Sequence, residues 1–284
     1  MFESNAKIHV SPLGKQGITL AQQGFTLIEM IVTIVLIGII GVGITNFIGR
    51  STQGMADIAE RQQLATIGWI VSEKVTRELR QALPNSVRIN SANTCVEFVP
   101  SIAGSNYLSV PTLTAASSFE SVEFSRYNAG DVNTAFDRVA VYPNSLPNLY
   151  ALNDPGIISG LINQLSTGPT TNAVTIALAA THQFLNDSPT KRLYIVQDPV
   201  MYCFSSGFLY RYNEYGYHAT FPTGASLDNE TVIGNRLNSG SFEYSAGTLT
   251  RSAVVTMAFK VSSAGVASSA EQAINQEVQI RNVP

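Results

Sequence analysis

Two hydrophobic patterns follow one another near the N-terminus. Residues 30–49 hold no charged side chain, and apolar groups crowd every side of the run, from Met30 and Ile31 through Phe47 and Ile48. A run of that length and character predicts a helix able to cross a hydrocarbon core. After Arg50 the apolar positions thin to Leu64, Ile67, Val71, Val75 and Leu79, at spacings of three and four. That spacing predicts a helix with one buried face, and Ile70 and Leu83 widen the stripe. The other face carries Arg61, Glu73, Lys74, Arg77, Glu78 and Arg80, with Glu73 and Arg77 placed for an i, i+4 ion pair. Pro84 stops the pattern. Residues 25–83 therefore read as one helix, membrane-spanning over 30–49 and an amphipathic stem over 50–83.

Beyond Pro84 the period falls to two. Residues 87–89, 95–99, 122–124, 139–142, 174–178, 192–196, 200–204, 208–212, 254–261 and 277–280 read as strands. Ser205-Ser206-Gly207 reads as a hairpin turn between two of them. Residues 100–118, 143–172 and 213–250 are turn-rich, and 156–165 reads as a short helix. No internal repeat is visible. The expectation is an α+β protein: a long N-terminal helix, transmembrane then amphipathic, packed on an antiparallel β-sheet head over residues 84–284.

Charge singles out one residue. Glu29 heads the apolar run, and a carboxylate within a membrane span costs about 2.5 to 3.5 kcal/mol, which marks a functional position. A plain signal anchor with Glu29 at the interface is the bland alternative. A cleaved secretory signal fits poorly, because Lys15 is the nearest preceding base, the apolar run is too long, and residues 46–49 offer no small-residue cleavage site.

The string Gly24-Phe25-Thr26-Leu27-Ile28-Glu29, with the apolar run behind it, resembles the class III signal of type IV pilins and of type II secretion pseudopilins. The resemblance implies a leader over residues 1–24, cut by a prepilin peptidase between Gly24 and Phe25, with N-methylation of the new Phe25 terminus. It implies that Glu29 and Thr26 are assembly contacts, Glu29 neutralising the freed amine of Phe25 in its own or a neighbouring subunit. Opposite charges in a low dielectric attract strongly, whereas either alone is penalised. With only Lys7 and Lys15 against Glu3, the leader is less basic than many in the family; either it is a long variant or translation starts downstream of Met1. Gly38, Gly41 and Gly43 each cost a helix about 1 kcal/mol relative to Ala. The family resemblance implies local unwinding over residues 38–46 on assembly, though close packing of helices in the membrane explains the glycines equally well.

The head sharpens the resemblance. Residues 199–203 and 207–212 resemble the strand–turn–strand of PilW- and GspJ-type minor pilins. Residues 61–64, 80–86, 95–100 and 276–284 are more similar still to the MshO type of minor pilin in mannose-sensitive haemagglutinin (MSHA) pili. Residues from 100 to about 190 match neither. The implied role is a minor pilin acting in assembly initiation or in a tip complex, a structural subunit and not an enzyme. Its implied partners are the prepilin peptidase, the major pilin, other minor pilins, the inner-membrane assembly platform and inner-membrane lipid. It would be single-pass in the inner membrane, head in the periplasm, then on the pilus or cell surface. A minor pseudopilin of type II secretion and a tip adhesin, its unmatched middle binding a surface or sugar, are the alternatives.

Composition adds little chemistry. The formal charge is −3 and no basic cluster occurs, so nucleic acid is not an expected partner. The charged fraction of 13% suits a secreted β-rich surface. Cys95 and Cys203 lie on alternating, apolar-flanked runs; an oxidising compartment favours one disulfide between them, and two buried thiols are the other reading. His9, His182 and His218 are scattered, no nucleophile elbow or phosphate loop occurs, and no cofactor is expected. Asp131, Asn133 and Asp137 offer oxygen ligands, but Ala135 breaks the EF-hand pattern, so a solvated loop is favoured over a metal site. Tyr210, Tyr212, Tyr215 and Tyr217, near Arg211, fit either a partner or glycan contact or cross-strand packing.

Overall fold

The computed structural model describes residues 24–223, 227, 229–248, 251–263 and 270–280. The expected leader up to residue 23, with Lys7, His9 and Lys15, and the last four residues of the chain lie outside these. One α-helix, α1, runs over Leu27–Leu79. The strands are β1 (Arg88–Ile89), β2 (Cys95–Phe98), β3 (Ser101–Ser109), β4 (Ala116–Val122), β5 (Arg138–Val141), β6 (Ile158–Thr167), β7 (Ala173–His182), β8 (Arg192–Val196), β9 (Val200–Ser205), β10 (Phe208–Tyr212), β11 (Glu230–Gly234), β12 (Leu237–Ser245), β13 (Ala253–Ser262) and β14 (Glu271–Ile280). A short helix, α2 (Leu146–Tyr150), precedes β6. The architecture is α+β, a long helix followed by antiparallel sheets, as the patterning predicts.

The chain divides into two compact units, Met1–Ala56 and Asp57–Pro284. In the first, every described side chain is exposed, including the whole apolar run. In the second, Leu64, Val71, Val75 and Leu79 are buried on the predicted stripe. Ile70 departs from expectation: it is 48% exposed. Its place immediately before Val71 puts it about 100° round the helix from that buried position. Among the described residues no ion pair joins Glu73 to Arg77; Glu78 instead meets Arg211 of β10 at 2.9 Å. Gly68 sits where the Ile274 side chain of β14 lies on the helix, and a Cβ there would overlap it.

The helix stops at Leu79, ahead of Pro84, because the next residues are claimed by strand-like pairing. Gln81 and Ala82 N–H groups turn back to the Glu78 and Leu79 carbonyls, and then Leu83 N–H donates to Val99 O and Ser101 N–H to Gln81 O, both at 2.8 Å.

Two sheets cover the stem, one of five strands ordered β1-β2-β9-β10-β11 and one of three ordered β12-β13-β14. Together with α1 they form the frame, whose core unites Leu64, Val75 and Leu79 with Phe98, Tyr202, Phe242, Met257 and Val261. The predicted turn between β9 and β10 is a tight one, with Ser206 and Gly207 both at positive φ (50° and 83°), the geometry that matches strand twist in a two-residue hairpin.

Between β2 and β9 the chain builds something else. β3, β4, β7, β6, β5 and β8 close into an antiparallel barrel. Its own core contains Tyr107, Phe119, Ile162, Ile176, Phe184 and Ile195 and no residue of α1. β2 and β9 pair directly, from Cys95 opposite Cys203 to Phe98 opposite Val200. They are thus a hairpin whose connection is the barrel. The chain predicted as turn-rich over residues 100–118 contains β3 and the start of β4, and the segment over 213–250 contains β11 and β12. The strand expected at 122–124 ends at Val122.

The helix expected over residues 156–165 is strand β6. Its buried apolar side chains, Ile158, Ile162 and Leu165, are spaced four and three apart. Register shifts in its pairings with both β5 and β7 move the inward positions off strict alternation and imitate a helical period.

Candidate functional site

The candidate processing segment begins at Gly24. Phe25 is exposed, and Thr26 stands immediately before α1. The Thr26 hydroxyl accepts from the Glu29 N–H at 3.3 Å, and the Thr26 carbonyl accepts from the Glu29 and Met30 N–H groups. Thr26 is therefore the helix N-cap, satisfying one of the donors that every helix start leaves open. The Thr-x-x-Glu spacing that signals such a cap is present in the sequence and gives Thr26 a local structural task. Glu29 is exposed in the first turn, where a negative charge suits the positive end of the helix dipole. No other charged side chain follows until Arg50. Such an arrangement presents one exposed carboxylate in the first turn of the helix, at the head of an exposed apolar surface. Its chemistry is attraction of a cation by that carboxylate and burial of that surface.

The head has a second, structural locus. Cys95 and Cys203 form a disulfide across the β2–β9 pair, at a sequence separation of 108. The barrel is enclosed in that loop. A clasp centred on Arg88 of β1 and Glu97 of β2 also ties the barrel segment to the frame. Arg88 Nε donates to the buried Glu97 carboxylate at 2.5 Å, and its guanidinium lies 3.6 Å from the centre of the Tyr150 ring. The Tyr150 hydroxyl donates to Ser86 O, and the Tyr215 hydroxyl to Glu97. Burial raises the Glu97 pKa above its ordinary value, with Arg88 and Tyr215 opposing that rise. Around this clasp Leu83, Val99, Leu149, Ile157 and Val196 form a separate apolar cluster. None of these roles was signalled by local spacing, since Arg88, Tyr150 and Tyr215 meet only through the fold.

The remaining candidates resolve into packing. Asp137 is fully buried, accepting from the Tyr127 hydroxyl, Gln197 and the Asn133 N–H, while Asp131 accepts from the Asn128 N–H. The tyrosine run splits: Tyr210 and Tyr212 form a row of tilted rings along β10 with Phe208, while Tyr215 and Tyr217 turn inward, Tyr217 donating to Gln197 O. His182 sits buried beside Phe184, and His218 lies against Tyr215.

Residues 16–45 match the family model described as the prokaryotic N-terminal methylation motif. No curated protein and no solved structure matches the chain. The match spans Gly24, Phe25, Thr26 and Glu29, and α1 is long and apolar enough to cross a membrane. The motif and this helix support a type IV pilin- or pseudopilin-like protein anchored in a membrane. Proteins with such a motif are processed by a prepilin peptidase and assemble with pilins, as structural subunits.

Proposed function

We propose that the chain is a minor pilin of a type IV pilus, of the MSHA biogenesis type, that acts in starting assembly or within a tip complex. Prepilin peptidase cuts between Gly24 and Phe25, Phe25 is N-methylated, and Glu29 meets the freed amine as subunits assemble. Its division is a leader over residues 1–24, a helix over 25–83 and a head over 84–284. The head faces the periplasm and, after assembly, the cell exterior. The observation that carries this reading is the methylation motif set directly on a helix whose apolar half is uncovered among the described residues. Burial of that half in lipid, and then among the helices of the major pilin, other minor pilins and the inner-membrane platform, accounts for it. Retention of Glu29 favours a position with a neighbouring amine, so the subunit sits below another.

The test is the intact mass and N-terminal sequence of the membrane-extracted protein. N-methylated Phe25 at the terminus is the expected result, and a chain still beginning at Met1 overturns the reading. E29A should retain cleavage yet fail to enter filaments. A second reading, tip adhesin, is favoured by the closed barrel carried between β2 and β9, because the frame's fold does not require it. Binding of the extracted protein to glycan or chitin surfaces separates the two.

A further inference from the structure

A groove of about 950 Å³ lies where the end of the stem, the outer wall of the barrel and the tip of β14 meet. Two arginines line it, Arg80 from the stem and Arg192 from β8, and no acidic residue does. Among the described residues neither guanidinium has a hydrogen-bond or ion-pair partner, in a chain whose formal charge is −3. The adjoining cavity, which shares Gln81 and Ile102, is compensated, with Arg77 and Arg211 beside Glu78, Asp198 and Glu214. The groove is thus a concave surface of one charge sign within the size range of ligand sites. Small apolar residues, Ala82, Ala103 and Gly104, form part of its wall, beside the polar Gln81, Ser101 and Gln279. Gly104 leaves room beside the Tyr194 ring, since a Cβ there would stand 3.4 Å from it.

We propose that this groove docks an acidic, extended peptide segment of another pilin-like subunit, its carboxylates held by Arg80 and Arg192 and its apolar side chains laid on the Ala–Gly surface. Guanidinium groups match carboxylates in paired, charge-assisted hydrogen bonds. A sugar chain would need aromatic rings to stack on, and this groove has one, that of Tyr194. The subunit identity of the partner rests on the pilin reading above; the preference for an acidic peptide rests on the groove alone. The contact is separate from that of Glu29 with the Phe25 amine.

The test uses the full chain in detergent and a fluorescent hexapeptide alternating Glu and Leu, with its Gln–Leu counterpart and a heparin hexasaccharide as competitors. The acidic peptide should bind at low salt, and the Gln version about tenfold or more weakly. R80E/R192E should lose binding to a similar extent and R80Q/R192Q most of it, whereas R61E/R126E, with the same change in net charge, should bind as the parent does. Equal loss in both charge-reversed chains, preference for heparin, or no binding of the acidic peptide overturns the proposal. N-terminal sequencing of the same preparation keeps the two readings apart, because an unprocessed chain removes the pilin assignment without altering peptide selectivity.

Discussion

The frame and the barrel are both antiparallel β-structure, but they close their cores by different means. The frame's sheets are open, and each hides its apolar face against α1, so their shared core is incomplete without the stem. The barrel closes on itself and draws nothing from α1. The lesson concerns dependence. Whatever binds or strains the stem acts on the frame directly, and reaches the barrel through the stem's end at Gln81 and Leu83, the β2–β9 neck with its disulfide, and the Arg88–Tyr150 clasp.

The strongest blow to this division is loss of the staple. In the chain-entropy description, a cross-link at a separation of 108 stabilises by about 4 to 5 kcal/mol. C95S/C203S should lower the thermal midpoint of the whole head, because the linked loop contains the barrel and its ends belong to the frame. A loss below about 1 kcal/mol would show that strand pairing alone holds the neck. Next is Ile162→Ala, at a fully buried barrel position, expected to cost about 2 to 5 kcal/mol. Hydrogen exchange should speed up in β3 to β8 and leave β9, β10 and β13 protected; equal loss in both regions would sink the idea of separate cores. Gly68→Val reverses the pattern. It forces Ile274 off the helix, costs about 1 to 3 kcal/mol, and should loosen β14 and the stem while the barrel stays protected.

The smallest effect separates the regions by sign. Burial lowers the pKa of His182 in β7, and the Asp154 carboxylate 3.5 Å away only opposes that shift. The unfolded chain takes up this proton first, so the stabilisation is intact above the ordinary value of 6.5 and declines as the pH falls below it. Glu97 in the frame behaves oppositely. Its pKa is raised above 4.5, so ionisation costs stability that is regained as the pH falls through the folded value toward 4.5. Mild acid should therefore weaken exchange protection in β6 and β7 but not in β2 and β9, after correction for intrinsic exchange. H182Q should flatten the barrel's response.

Much of the frame was legible along the chain. The stem stripe, β9, β10, β13 and the Ser206–Gly207 turn each depend on neighbours close in sequence, and local alternation records them. The N-terminal methylation motif was more legible still, because a linear string needs no tertiary help to be recognised. The barrel was less so. β3 runs through Ser101, Gly104, Ser105 and Asn106 and buries only Tyr107, so its apolar residues do not mark one inward face. β6 wears a helix-like period because of its register shifts. The nesting of the barrel inside a hairpin is invisible locally, as it follows from pairing residues as distant as Cys95 and Cys203. The clasp of Arg88, Glu97, Tyr150 and Tyr215 was unreadable for the same reason.

Because the end of β2 and the start of β9 lie side by side, the frame surrenders and recovers its chain at one point. Such a junction is a socket. The entropy of closing a connection grows only with the logarithm of its length, so the frame is nearly indifferent to how much cargo hangs there. A head in which residues 101–197 are exchanged for another compact module with adjacent ends should still lay its sheets on the stem. The frame thereby becomes a mounting on which the carried module can be changed without redesigning the packing on the stem.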